Sequence, residues 1–197
     1  MMKNRLIPIV RGNGHTPQGG AMMIEILVTI LVLAVGLLGL AGLQLSAMKF
    51  TKDAASRSNA TLLTAELADR MRANMEGVKQ ASYKRDLAYA ASIAAGLPAD
   101  PGCGKTTDCT YTTMATLDLN QWLTAIAATL PEGTGALIED PVNKSGWTIY
   151  VMWMEKSLNE ANKDNAAVST KDRNCTGPAG WAAPPDGVRC LYTAFMP

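Results

Sequence analysis

The chain has 197 residues, with 18 Lys and Arg against 17 Asp and Glu and a net charge of +1. That length holds one modest domain plus a membrane segment. The even balance gives no basic field for nucleic acid and no acidic tail. Residues 1–20 are the exception, holding Lys3, Arg5 and Arg11 and no acid. Without them the chain carries 15 basic and 17 acidic residues. A basic leader before an apolar run has the asymmetry of a cytoplasmic flank.

The apolar run follows at once. Residues 26–48 contain no charge, and residues 26–45 alone meet the length of about 20 apolar residues that a bilayer core of about 30 Å demands. Thr29 and Gln44 are its hydrogen-bonding interruptions, and one carboxylate, Glu25, stands at its mouth among Met22, Met23, Ile24 and Ile26. A plain signal anchor gives Glu25 no task. A secretory signal would be cut after Ala41, where "GLAG" offers small residues, yet the apolar run continues to Met48 beyond that cut.

The stretch "GGAMMIE" explains the acid. It resembles the prepilin signature of the type IV pilin superfamily, with Ala21 standing where Phe or Met is usual. The resemblance implies cleavage between Gly20 and Ala21 by prepilin peptidase, N-methylation of Ala21, and Glu25 as the fifth mature residue. It also implies that Glu25 registers the subunit by facing the α-amino group of a neighbour. That amine has a reference pKa of about 8, so it is largely protonated near neutrality. An acid at a helix centre in lipid costs about 2.5–3.5 kcal/mol on insertion scales, less near the interface, and a cation offsets part of it.

No proline separates Pro17 from Pro98, so a helix is free to run on from the span. Leu63, Leu67, Met71 and Met75 share one helical face, and Glu66 precedes Arg70 by four residues, a supportive pair. Helix over residues 22–75 predicts a rod on the order of 80 Å at about 1.5 Å per residue. Its first half, residues 21–48, is embedded in lipid and its second carries the head. Gly36, Gly39 and Gly42 each weaken a helix in water by about 1 kcal/mol relative to Ala. Close packing of backbones in lipid accounts for them; local loss of helix in a fibre, which the resemblance implies, also does.

After Met75 the sequence reads as loop, with one short helix in "YKRDLAYAASIAAGLPADPG". Then Leu119, Trp122, Leu123, Ile126, Ala127 and Leu130 recur at helical spacing, with Asp118 as a cap, Gln121 reaching back, and Pro131 and Gly133 beyond the end. Trp122 reads as packing. The period next changes to two. "WTIYVMWM" puts Trp147, Ile149, Val151 and Trp153 on one face and Thr148, Tyr150, Met152 and Met154 on the other. "GALIED" and "VRCLYTAF" are further strands, and "DPVNKSG" is a hairpin connection. The fold class is α+β, a small antiparallel sheet on a long helix.

The four cysteines form two local pairs, Cys103 with Cys109 and Cys175 with Cys190. Neither has C-x-x-C spacing, and the single histidine, His15, lies in the leader, so no zinc site and no other metal or cofactor is expected. Beyond a membrane the pairs read as disulfides, for which three connectivities are possible. Pilin heads commonly end in a disulfide-bounded loop, so the resemblance implies a stapled surface loop between Cys175 and Cys190. The order of "LLTAELADRMRAN", a cysteine loop, "LDLNQWLTAIAATLPEGTG" and "WTIYVMWME" is similar to the minor pilins called PilV, or type IV pilus modification proteins. That implies a structural subunit of pilus initiation and of the tip complex. It would stand in the bacterial inner membrane with its head in the periplasm. Its partners would be prepilin peptidase, the major and other minor pilins, the inner-membrane assembly platform and a tip adhesin. A type II secretion pseudopilin and a membrane-anchored periplasmic binding module are the alternatives.

No catalytic constellation is visible, so no enzyme is expected. "GCGKTT" ends like a phosphate-binding loop, but Pro101 falls inside it and no apolar strand leads in. Asp69, Glu76, Asp86, Asp108, Glu139 and Glu155 read as solvated acids. Asn59-Ala60-Thr61 and Asn174-Cys175-Thr176 match glycosylation acceptors, a motif short enough to recur by chance.

Overall fold

The computed structural model describes residues 21–104, 107–141, 146–155, 172–175, 177 and 180–196. The leader, with Gly20 and His15, lies outside them, as do Lys105, Thr106, Thr176 and residues 142–145 of the hairpin connection. The chain divides into two units, Met1–Met48 and Lys49–Pro197. Helix α1, Ala21–Ala73, contributes to both. It is long and apolar enough to cross a membrane.

In the second unit the order is α2 (Met75–Lys79), α3 (Tyr89–Ala95), α4 (Tyr111–Thr129), β1 (Thr134–Glu139), β2 (Trp147–Met154) and β3 (Val188–Phe195). The strands form one antiparallel sheet in the order β1-β2-β3, so the unit is α+β. Helix α1 ends at Ala73, short of Met75, although no proline stops it. Asn74 does so instead. Its Oδ1 accepts from the Gly77 amide, while its Nδ2 donates to the Tyr111 carbonyl at 2.8 Å and to the Tyr83 hydroxyl at 3.1 Å. A side chain that bonds two backbone groups and a hydroxyl, on three segments, starts a new helix where α1 would otherwise run on.

Helix α4 begins at Tyr111, a full two turns before the cap read from the sequence. Thr110 is the cap, its Oγ1 accepting from the Thr113 amide at 3.2 Å. Asp118 stands inside the helix and is buried. Leu63, Leu67 and Met71 of α1 are buried with Leu119, Trp122, Leu123 and Ile126 of α4 against Trp147, Ile149, Val151 and Trp153 of β2. Met75 is only half-buried. Trp122 ties three elements together. Its Nε1 donates to the Leu63 carbonyl at 2.9 Å, and its ring lies so close to Gly135 that a Cβ there would sit 2.3 Å from it.

The other face of β2 is covered too. Tyr150 and Met152 pack with Tyr89 of α3, Ala136 and Ile138 of β1, Val188 and Cys190 of β3, and Cys175. Trp181 reaches over them, its ring centroid 5.2 Å from that of Tyr150 and its Nε1 donating to Asp86 at 2.7 Å. The segment read from sequence as a surface loop is therefore in part the cover of a second core. An apolar β2 with two faces requires two covers.

Candidate functional site

The first unit holds the surface of interest. From Met22 to Met48 every large apolar side chain of α1 is at least 52 % exposed. Monomeric soluble proteins rarely present a contiguous apolar surface of that kind; it marks a membrane or a partner. Ala21 is the first residue of α1, and its side chain, like all of Gly20, lies outside the described residues. Glu25 follows one turn later, exposed among apolar neighbours, and its backbone carbonyl accepts from the Thr29 hydroxyl at 2.7 Å. Gly36, Gly39 and Gly42 face open space, with nothing within 4 Å of a built Cβ. Within this chain they satisfy no packing requirement.

In the second unit disulfides join Cys103 to Cys109 and Cys175 to Cys190. Cys175 and Cys190 are both buried, so the bond lies within the second core. Gly104 belongs to the Cys103–Cys109 loop, where its amide donates to the Thr107 carbonyl at 2.8 Å. The residues leading into it, 96–103, form no strand, so the arrangement of a phosphate cradle is not built there. Among the described residues no three His, Cys, Asp or Glu side chains converge as metal ligands. Asn59 lies inside α1, one residue before the fully buried Ala60.

Four of the acids read as solvated have partners: on exposed helix surface Asp69 accepts from Arg72 at 2.6 Å and Glu76 from Gln80 at 3.1 Å, and two more bond across the fold. Glu155 accepts from Arg189 Nε at 2.5 Å with its side chain only 10 % exposed, and Asp86 accepts from Trp181. The larger omission is a polar network joining α1, Tyr83 and α4, buried at Asp118 and Tyr83 and open to solvent at Arg70 and Glu66. Asp118 accepts from the Tyr83 hydroxyl at 2.6 Å through Oδ2 and from Arg70 at 3.3 Å through Oδ1. Arg70 also donates to Gln121 at 2.6 Å and to Glu66 at 2.8 Å. The Glu66–Arg70 pair read from spacing is present and belongs to this larger cluster. Burial, then the adjacent Asp118, pushes the Tyr83 hydroxyl well above the usual tyrosine range. A signal existed in the sequence: Asp118 shares a helical face with Ala115 and Trp122, so its carboxylate sits on the apolar stripe. A buried acid needs a partner, and the partners lie 35 and 48 residues away.

The candidate site is the exposed apolar surface of the first unit. Residues 42–120 match the family model described as Tt1218-like, Type IV pilin Tt1218. No curated protein matches the chain. No solved structure matches it. The matched residues run from the last glycine of the apolar stretch into α4, past the buried Asp118, and the match supports a type IV pilin family for this chain.

Proposed function

We propose that this protein is a minor pilin of the PilV type. It is made as a prepilin, cleaved between Gly20 and Ala21, N-methylated on Ala21, and built into the initiation or tip complex of a type IV pilus. A type IV pilin family of structural subunits fits the apolar helix as a membrane anchor and as fibre core. The observation that carries the reading is the exposed first half of α1, uncharged from Ile26 to Met48 behind a single acid. Lipid covers such a surface before assembly, and the same helix of neighbouring subunits covers it afterwards.

In this reading Glu25 registers the subunit. Its carboxylate faces the α-amino group of a neighbour in a medium that leaves an unpaired charge costly. The N-terminus is cytoplasmic and the head periplasmic, as the basic leader favours. Prepilin peptidase, the assembly platform, the major pilin, other minor pilins and a tip adhesin are the partners. A type II secretion pseudopilin shares the processing step and differs in its machine. A periplasmic binding module has no use for Glu25.

The test is the intact mass and N-terminal sequence of the protein from membranes. A methylated start at Ala21 supports the proposal. A start at Met1 or Gly42 overturns it, leaving a plain anchor or a secreted domain.

A further inference from the structure

Beyond the uncharged run the next ionisable residues are cations. Lys49 and Lys52 are exposed on α1, three residues apart and so side by side on the helix surface, with Phe50 between them in the chain. Phe50 is 75 % exposed, so the head does not cover it. The acid nearest in sequence, Asp53, is half-buried and turned to the Glu155 carboxylate, with Arg57 and Arg189 acting on it. Lys49 and Lys52 thus make a small positive patch at the end of the apolar run opposite the basic leader. Charge asymmetry about a span favours cations on the leader's side alone, so this second group needs a reason of its own.

Helix geometry sets the level at which the patch stands. Residues 26–48 rise about 35 Å as helix. A hydrocarbon core is about 30 Å thick, and about 40–45 Å with both headgroup layers. A helix with Glu25 at one interface therefore carries Lys49 into the headgroup layer of the opposite leaflet. Lys52 follows about 4.5 Å farther on. Helical side chains lean toward the N-terminus, so both ammonium groups are directed back toward the bilayer, at the end of stems long enough to lie along apolar surface. Phe50, on the same turn, offers an apolar ring to the acyl boundary.

We infer that Lys49 and Lys52 bind the phosphate of an anionic phospholipid in the leaflet at the C-terminal end of the span, with Phe50 seated against its acyl chains. Two adjacent ammonium groups repel one another until an anion lies between them, and the anion present at that depth is a lipid phosphate. A zwitterionic lipid brings a cation of its own with each phosphate, so the pair favours a headgroup of net negative charge. The patch also continues directly from the apolar surface that lipid covers. The inference rests on the proposed function only in taking α1 as a membrane anchor; it requires neither removal of the leader nor the registration role of Glu25.

The test is native mass spectrometry of the full-length chain released from nanodiscs that hold phosphatidylglycerol and phosphatidylcholine in equal amounts, reading the ratio of the two lipids retained on the protein. A lysine at an anionic surface is worth about fivefold in affinity, so the parent should retain phosphatidylglycerol several-fold over phosphatidylcholine. Lys49→Gln with Lys52→Gln should lower that ratio several-fold, and Lys49→Arg with Lys52→Arg should keep it. Arg57→Gln removes an exposed cation about 12 Å beyond Lys49 along the helix and should leave the ratio unchanged. Neutralising the leader with Lys3→Gln, Arg5→Gln and Arg11→Gln should leave an enrichment that still depends on Lys49 and Lys52. Equal retention of the two lipids by the parent overturns the inference, as does an enrichment that survives the paired glutamines. So does an equal loss on Arg57→Gln, which would reduce the effect to net charge, or a complete loss on neutralising the leader. An unprocessed N-terminus in membranes would overturn the pilus reading while leaving this ratio readable, so the two fail separately.

Discussion

Glu25 and Asp118 are two carboxylates in apolar settings with opposite solutions. Asp118 is satisfied within the chain by Tyr83 and Arg70. The side chain of Glu25 stands exposed, and on the proposed reading its partner belongs to another subunit. Glu25→Val should therefore leave processing and head stability unchanged and sharply reduce the amount of this protein in sheared pili, read by immunoblot against the membrane fraction. Normal incorporation of the variant would remove the registration role. For the internal network, Tyr83→Phe deletes a buried donor to a charged acceptor and should lower stability by about 1.5–3 kcal/mol in denaturant titration. The buried tyrosines Tyr83 and Tyr89 also predict an alkaline limit. Burial, and secondarily Glu132, pushes Tyr89 up to about 12, and Tyr83 is raised in the same direction. Both fold as neutral phenols, so their contribution is complete below pH 10, the ordinary tyrosine value. It is lost as the pH rises from there toward 12, because the unfolded chain releases these protons first. The Tyr83→Phe protein should lose less stability over that interval than the parent.

At the level of elements, the glycines of α1 and of β1 have different reasons. Gly135 admits no side chain because the Trp122 ring occupies the space, and packing inside the chain explains it. Gly36, Gly39 and Gly42 meet nothing within 4 Å, so their reason lies outside the chain. In the isolated protein Gly36→Leu with Gly39→Leu should leave head unfolding unchanged and strengthen α1, since each glycine costs about 1 kcal/mol of helix stability in water. In the assembled state the same pair should reduce incorporation, because larger side chains keep neighbouring backbones apart. A double variant that assembles normally would show that no neighbour approaches there. The contrast between α1 and α4 is also a matter of surroundings: α1 has an apolar segment without a cover, whereas the apolar face of α4 is closed by α1 and the sheet.

The whole second unit is built as two cores on one sheet. Trp122 and α4 close one face; Trp181, α3 and the Cys175–Cys190 disulfide close the other. Replacing both Cys175 and Cys190 with Ala should cost about 2–4 kcal/mol, the usual effect of losing a bond that closes a loop of this length. Because the bond lies under Trp181, the loss should also expose Tyr150, read as increased accessibility of that ring to a tyrosine-directed reagent. Retention of full stability would mean that the second core holds without the staple.

Much of this was legible in the linear chain because it is local. A charge-free run of membrane length, an acid at its mouth, a period of two in "WTIYVMWM", and the apolar stripe ending at Leu130 depend on neighbours in sequence. The strand boundaries, 147–154 and 188–195, coincide with the patterns that announced them. What tertiary structure decided was everything a polar side chain does at long range. Asp118 has the chemistry of a helix cap and the spacing to be one, and it lost that role because Thr110 starts the helix earlier and a buried carboxylate is better satisfied by Tyr83 and Arg70. Asn74 ended α1 with bonds to groups that its own sequence context does not contain. The loop from Cys175 to Cys190 has a surface composition, yet part of it became a cover because β2 is apolar on both faces and burial of its second face outweighs the exposure of a Gly- and Pro-rich segment. Periodicity records which faces must be buried, and only the fold determines what buries them.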